Sequence, residues 1–102
     1  MWKEILKVRT KAADASQVGR DLGEFLHAPG LPAGLKGHRI FRNSMHPNEV
    51  MLVLDWDSPS PEVGGSELAR RLAYSMKRHG LVDLSAWHDE PRPESESFSK
   101  SN

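Results

Sequence analysis

The stretch of sequence that decides the fold is residues 35–57, LKGHRIFRNSMHPNEVMLVLDWD. Residues 35–43 and 49–57 have the apolar content and the length of strands. Residues 44–48, SMHPN, lie between them and contain the proline, asparagine and serine that favour turns. The pattern therefore predicts two strands that pair antiparallel as a β-hairpin.

The segments on either side of this hairpin each predict one more strand and one helix. Residues 1–10 alternate in polarity as a strand does, and residues 14–27 repeat apolar side chains at helical spacing. After the hairpin, Ser66 is expected to cap a second helix, Gly80 to end it in a left-handed conformation, and residues 81–87 to form a fourth strand. The order βαββαβ is that of the α+β, ferredoxin-like fold, in which two helices cover one face of a four-stranded antiparallel sheet.

The chain is expected to consist of one domain and a tail. Its 102 residues are too few for two independent cores, and residues 1–90 contain all the predicted elements. Residues 91–102, PRPESESFSKSN, have almost no apolar side chains, so we expect a flexible C-terminal tail there.

The third predicted strand is apolar on both faces. Val50, Leu52 and Leu54 lie on one face, and Met51 and Val53 lie on the other. In a monomer of this fold, one sheet face meets water and its strands alternate apolar with polar residues. Because burial of each further side chain of this size contributes about 1.5–3 kcal/mol, we expect a homodimer whose sheets pack face to face. An exposed apolar pair on a monomer is the alternative.

Composition limits the class of function. Lys and Arg number 14 and Asp and Glu number 14, so the net charge is zero and no general field favours nucleic acid. The basic-Gly-aromatic signature of RNA-recognition motifs is missing from residues 49–57. Cysteine is absent, which excludes thiolate catalysis and is typical of a reducing compartment. With no apolar run near the ~20 residues of a membrane helix, we expect a cytoplasmic protein that binds neither membranes nor nucleic acid.

Motifs for chemistry are sparse. The five histidines form no short metal-binding pattern and no serine lies in a Gly-x-Ser-x-Gly turn, so neither a metal site nor a hydrolase triad is expected. His38 lies within a strand beside Arg39 and could exchange protons if the sheet enclosed a pocket; a partly exposed strand histidine is the alternative. Gly64 and Gly65 before Ser66 could present backbone N–H groups to an anion.

Trp56 is the strongest candidate for a ligand contact. It ends the third strand on the same face as Leu52 and Leu54, so its indole is expected to point toward the helices. A tryptophan in that place can line a pocket for a planar ligand; a core tryptophan that only closes the strand end is the alternative. Leu52 and, from the second helix, Leu72 and Met76 are the other candidate ligand-binding residues.

The hairpin at residues 37–57, preceded by a helix and a Pro-Gly loop, resembles the antibiotic biosynthesis monooxygenase (ABM) domains of the dimeric α/β-barrel superfamily. The likeness covers about residues 1–90 and is most specific in the His-Pro-Asn-Glu turn and the apolar strand that ends in Trp56-Asp57-Ser58. It implies a homodimer whose two sheets form a barrel. For the family members that act on anthrones, it also implies a pocket between sheet and helices where the deprotonated substrate itself reduces O₂ without a cofactor.

Two departures from the family concern the site. Trp56 matches the tryptophan that ends the third strand of the anthrone oxygenases, but Leu52 stands where they have an asparagine, and the first strand has no asparagine either. An asparagine would hydrogen-bond a developing oxyanion, and leucine cannot. The histidine of the haem-degrading members is also missing from residues 68–72, so haem degradation is not expected.

Two functions therefore stay open. The first is a cofactor-independent monooxygenase for a small aromatic or planar substrate, with Trp56 stacking on the substrate and His38, Arg39 and Tyr74 as candidate catalytic residues. The second is a dimeric α/β barrel that binds a small apolar ligand without oxygenating it, which the missing asparagines favour. Neither function requires a cofactor or a metal.

Overall fold

A computed structural model describes residues 2–27, 29–58 and 63–90. In chain order its elements are strand β1 (Trp2–Thr10), a 3-10 turn (Ala12–Asp14), helix α1 (Ala15–His27), strand β2 (Leu35–Arg42), strand β3 (Glu49–Trp56), helix α2 (Glu67–Met76) and strand β4 (Gly80–His88). The strands form one antiparallel sheet in the order β2-β3-β1-β4. The predicted ferredoxin-like βαββαβ fold is confirmed, and the predicted tail at 91–102 lies outside the described residues.

The core lies between the helices and one face of the sheet. Successive side chains of a strand point to opposite faces, so β1 and β3 each bury every second residue. Both helices are amphipathic and turn their apolar stripes toward the sheet. Neither is long and apolar enough to cross a membrane, nor is any other helix of the described ranges. The buried apolar residues of the sheet are Trp2, Leu6, Val8, Val50, Leu52, Leu54 and Trp56, and those of the helices are Ala15, Val18, Leu22, Leu26, Leu68, Ala69, Leu72 and Met76.

The two ends of α2 test two predictions. Ser66 is the N-cap, as predicted, because its Oγ accepts a hydrogen bond from the Ala69 backbone N–H at 3.1 Å. The prediction for Gly80 is wrong, since α2 already ends at Met76 and Gly80 is the first residue of β4. Glycine is required there for another reason: a Cβ would lie 2.0 Å from the carbonyl oxygen of Arg9 on the neighbouring strand.

The sheet face away from the helices is called the open face here. Its middle is apolar, with Ile5 of β1 paired to Val53 and with Met51 one row further along β3, all of them half-buried. The prediction that β3 is apolar on both faces is therefore confirmed. On the neighbouring edge strand β4, Leu81 and Trp87 lie on the same face and are 76% and 59% exposed, so the open face has large apolar side chains in contact with water.

Candidate functional site

A groove lined by three tryptophans lies at one end of the sheet, where β1 begins and β3 and β4 end. Its volume is about 460 Å³, which is within the range of small-molecule sites. Because it lies at the end of the strands, it takes side chains from both faces of the sheet. We call it the tryptophan groove; its lining residues are Trp2, Lys3, Lys36, Gly37, Asp55, Trp56, Trp87, His88 and Asp89.

Two of the three indoles form a stacked pair. Trp2 and Trp56 are opposite each other on β1 and β3, and their ring centroids are 5.5 Å apart with 14° between the planes. Both side chains are buried, at 3% and 6% exposure, and the strand register holds them side by side. Trp87 is far more exposed and supplies the third ring. The groove therefore combines a rigid pair of rings with one accessible ring.

The N–H groups of all three indoles already donate to the protein. Trp2 Nε1 donates to Ser58 Oγ at 2.5 Å, and Trp87 Nε1 donates to Ser85 Oγ at 2.8 Å. Trp56 Nε1 donates to Glu4 Oε1 at 2.7 Å. Because these donors are engaged, the indoles offer a ligand their apolar rings rather than hydrogen bonds.

Glu4 is a buried carboxylate between the groove and the start of α2. It is 1% exposed, and it accepts hydrogen bonds from Trp56 Nε1, from the Ser66 backbone N–H at 2.5 Å and from Ser66 Oγ at 2.5 Å. The sequence predicts that Gly64 and Gly65 present backbone N–H groups to an anion; in the structure the N–H of the next residue, Ser66, donates to a carboxylate of the same chain. Sequence reasoning missed Glu4, although its position between Trp2 and Leu6 on the buried face of β1 is visible in the alternation.

Charged side chains form the rim of the groove. Lys3 and Asp55, paired across β1 and β3, form a salt bridge. His88 and Asp89 contribute an imidazole and a carboxylate where β4 ends. These groups can hold or move a proton at the edge of a bound ring, and sequence reasoning did not single out either His88 or Asp89.

The four predicted ligand-binding residues do not share one site. Trp56 lines the tryptophan groove, whereas Leu52 and Leu72 are 0% exposed in the packed core between the sheet and the helices. Met76, at the end of α2, lines a separate, more open depression of about 850 Å³ between the outer sides of the helices. Trp56 is therefore the member of this set that the structure places in the groove lined by three indoles.

The three predicted catalytic residues lie on three different surfaces. His38 is half-buried on the helix side of β2, opposite Leu54. Arg39 lies on the open face, with its guanidinium carbon 5.2 Å from the centre of the Phe41 ring. Tyr74 is 77% exposed on α2 and lines the outer depression. Their catalytic roles stay predictions.

Asp21 joins α1 to the residues that follow α2, at the outer depression. Its carboxylate accepts a hydrogen bond from Gln17 Nε2 at 2.7 Å and lies 2.9 Å from His79 Nε2 and 3.2 Å from an Arg78 nitrogen. These neighbours, Gln17 above all, lower the pKa of Asp21 below its usual value. These contacts connect α1 to the residues that follow α2. Within the described ranges, no group of His, Asp and Glu side chains is arranged to hold a metal ion.

Comparison with known proteins relates the fold to one group of structures. No family model and no curated protein matches the chain. A crystal structure of an antibiotic biosynthesis monooxygenase matches with a TM-score of 0.63 and 15% identity, covering 89% of this chain and 100% of the other. A proposed antibiotic biosynthesis monooxygenase from Deinococcus radiodurans matches with a TM-score of 0.65 and 12% identity, covering 91% and 96% of the two chains.

A third structure extends the same likeness. A conserved protein of unknown function from Bacteroides thetaiotaomicron, described as a candidate oxidoreductase, matches with a TM-score of 0.64 and 12% identity, covering 84% of this chain and 94% of its own. The chain therefore has an ABM-like fold, as the resemblance of its hairpin implies.

Proposed function

We propose that the chain binds a small planar aromatic ligand in the tryptophan groove. The observation that supports this is the combination of three indole rings in one cavity with the engagement of all three N–H donors inside the protein. A cavity of this kind discriminates by the shape and polarisability of a ring. The ligand class that fits is a mono- to tricyclic aromatic compound with few polar groups.

The charged rim suits a ligand with one ionisable group. Lys3 and Asp55 neutralise each other, and His88 and Asp89 lie on the β4 side of the groove. The hydroxyl group of a phenol at this rim can hydrogen-bond to the side chains of His88 and Asp89. We therefore assign phenols and naphthols as the ligands to test first.

The binding unit is proposed to be a homodimer. The half-buried Ile5, Met51 and Val53 and the exposed Leu81 place apolar side chains on the open face of β1, β3 and β4. A second copy offers the same face, and two such sheets packed together form the dimeric α/β barrel that the resemblance implies. Burial of these side chains supplies the hydrophobic contribution that holds the two copies together.

Calorimetric titration with 2-naphthol tests the binding proposal. Trp87→Ala removes an exposed ring without opening the core, and we expect it to weaken binding at least tenfold, since aromatic contact and burial together contribute about 1.5–3 kcal/mol. Met45→Ala is the matched control, because Met45 is 82% exposed in the hairpin turn, at the end of β2 and β3 opposite the groove. No binding by the wild-type chain, or equal binding by both variants, would contradict the proposal.

Native mass spectrometry and sedimentation equilibrium test the dimer. Val53→Glu places a charge in the middle of the open face and is expected to convert the dimer to monomers, because two facing carboxylates would be buried without partners. Val53→Ala, which keeps the face apolar, should remain dimeric. A wild-type chain that is monomeric at micromolar concentration would refute this part of the proposal.

A second candidate function is cofactor-independent monooxygenation of a ligand bound in the same groove, favoured by the names of the structural neighbours. For anthrone, the deprotonated substrate reduces O₂. One oxygen atom enters the new carbonyl group, and the other leaves as water with the two hydrogens of the methylene carbon. An oxygen electrode with anthrone tests this reaction. Uptake by the wild-type chain that exceeds uptake by Trp56→Ala and by Trp87→Ala supports oxygenation; equal rates leave ligand binding as the function.

A further inference from the structure

Glu4 is a buried carboxylate without an ion-pair partner among the residues that the structure describes. Its exposed fraction is 1%, and the salt bridges of the described ranges involve other carboxylates. A buried carboxylate is costly unless hydrogen bonds satisfy it, and an apolar side chain of similar volume would fill the same space. The contacts of Glu4 therefore need an explanation beyond packing.

Three donors from two directions hold the Glu4 carboxylate. Oε1 accepts from Trp56 Nε1 at 2.7 Å and from Ser66 Oγ at 2.5 Å, and Oε2 accepts from the Ser66 backbone N–H at 2.5 Å. Ser66 is the N-cap of α2, so the carboxylate lies at the positive end of a ten-residue helix. Gly65 leaves room for it: with φ at +90°, a Cβ there would lie 3.0 Å from Oε2.

The same carboxylate sets the orientation of the groove. An indole that donates to a fixed acceptor cannot rotate about its Cβ–Cγ bond without losing the hydrogen bond to that acceptor. Glu4 therefore fixes the plane of the Trp56 ring. Trp2 stacks on Trp56 at a 14° interplanar angle, so the orientation of the Trp56 ring also constrains that of the Trp2 ring. Glu4 thus connects the rigid start of α2 to two walls of the tryptophan groove.

We propose that Glu4 is a positioning residue of the tryptophan groove: it aligns Trp56 and, through the stack, Trp2 for a planar ligand. This inference rests on the proposed function, because the ligand is the one proposed for that groove. Glu4 acts through Trp56 and does not itself line the groove. A carboxylate has two acceptor oxygens, so Glu4 can accept hydrogen bonds from the indole and from the start of the helix at once. Other side chains of this size lack this pair of acceptors.

Glu4→Gln tests the proposal with little change in volume. A glutamine has one acceptor oxygen, so its NH₂ group must face either Trp56 Nε1 or the Ser66 N–H, and one of these donors loses its partner. We expect about tenfold weaker binding of 2-naphthol and a loss of the near-ultraviolet circular dichroism that two stacked indoles produce. In a Trp56→Phe background, where the donor is already missing, Glu4→Gln should change affinity by less than about twofold.

Thr10→Val is the matched control. Thr10 lies on the same face of β1 at the end away from the groove, is 7% exposed, and donates to the His79 carbonyl oxygen at 2.5 Å. Its replacement removes a buried hydrogen bond and lowers stability without touching the groove. A positioning role predicts that Thr10→Val keeps both the dichroism band and the affinity. If Glu4→Gln also keeps both, or if Thr10→Val loses both to the same extent, the proposal is overturned.

Two further results keep the test decisive. If Glu4→Gln does not fold, Trp56→Phe and Trp2→Phe are compared, because both truncate a ring of the stack but Trp56→Phe alone removes the bond to Glu4. Several-fold weaker binding by Trp56→Phe supports the proposal, and equal affinities overturn it. If the wild-type chain binds no 2-naphthol, the proposed ligand class is wrong, and the dichroism of Glu4→Gln then decides the positioning role without a ligand.

Discussion

Replacement of Gly80 by alanine should strongly destabilise the edge of the sheet between β1 and β4. A Cβ at this position would lie 2.0 Å from the Arg9 carbonyl oxygen, 3.0 Å from the Arg9 carbonyl carbon and 3.1 Å from the Thr10 Cα. All three are backbone atoms, so no side-chain rotation can relieve the contact. The start of β4 must therefore move away from β1 by an ångström or more.

The size of the effect follows from what that movement disrupts. Forced overpacking at a rigid site costs about 1–3 kcal/mol. Thr10 Oγ1 donates to the carbonyl oxygen of His79, the neighbour of Gly80, at 2.5 Å, and loss of such a buried hydrogen bond adds about 1 kcal/mol. The sum of about 2–4 kcal/mol corresponds to a fall in Tm of about 10–30 °C for a domain of this size.

A glycine-to-alanine substitution in α1 should instead raise the stability of the fold. Gly23 lies in the helix interior and a Cβ there would have nothing within 4 Å, so Gly23→Ala gains helix propensity of about 1 kcal/mol. Thermal unfolding by far-ultraviolet circular dichroism measures both variants, at one protein concentration because oligomers melt in a concentration-dependent way. A Tm for Gly80→Ala within 2 °C of wild type, or a lower Tm for Gly23→Ala, would refute the reasoning.

Three further predictions concern single residues. The pKa of Asp21 is held below 3.8, mainly by the hydrogen bond from Gln17. The stabilising contribution of Asp21 is therefore present above about pH 4 and is lost as the pH falls. Urea midpoints should fall more steeply between pH 6 and pH 2 for wild type than for Asp21→Asn, and parallel curves would contradict this. Leu52→Asn should cost about 2–5 kcal/mol and bring no oxygen uptake with anthrone, because position 52 is closed in the core; a stable, active variant would show otherwise. Ser66→Ala should lose at least the ~1 kcal/mol of an N-cap in urea denaturation, and an unchanged midpoint would contradict the Ser66 contacts.

The order of elements could be predicted because it depends on local patterns. The period-two alternation of β1, the helical spacing of apolar residues in α1 and α2 and the turn residues at 44–48 each depend on neighbours in the chain. The prediction for Gly80 failed because its cause is not local. A glycine after a helix favours a left-handed end, whereas this one is required by the backbone of β1, more than 60 residues earlier.

The residues of the candidate site also divide into those that local patterns identify and those that they do not. Trp56 could be found because a tryptophan at a strand end is visible in the sequence. That Trp2, Trp87 and Glu4 join it in one place could not be found, since they do so only through the register of β1 with β3 and β4. Leu72 and Tyr74 are residue types that occur in ligand sites, but on α2 Leu72 packs in the closed core and Tyr74 is exposed to water.

The sequence by itself determined the ferredoxin-like order of elements, the doubly apolar third strand and the presence of an aromatic residue suited to a planar ligand. Local spacing of apolar residues is sufficient for these features, because each depends on which way successive side chains point. Only the tertiary structure decided that three indoles meet in one groove and that a buried carboxylate connects them to the start of α2. The hydrogen bonds of Glu4 join residues 52 to 62 positions apart, and the groove exists because antiparallel pairing brings the start of the chain beside the ends of its later strands.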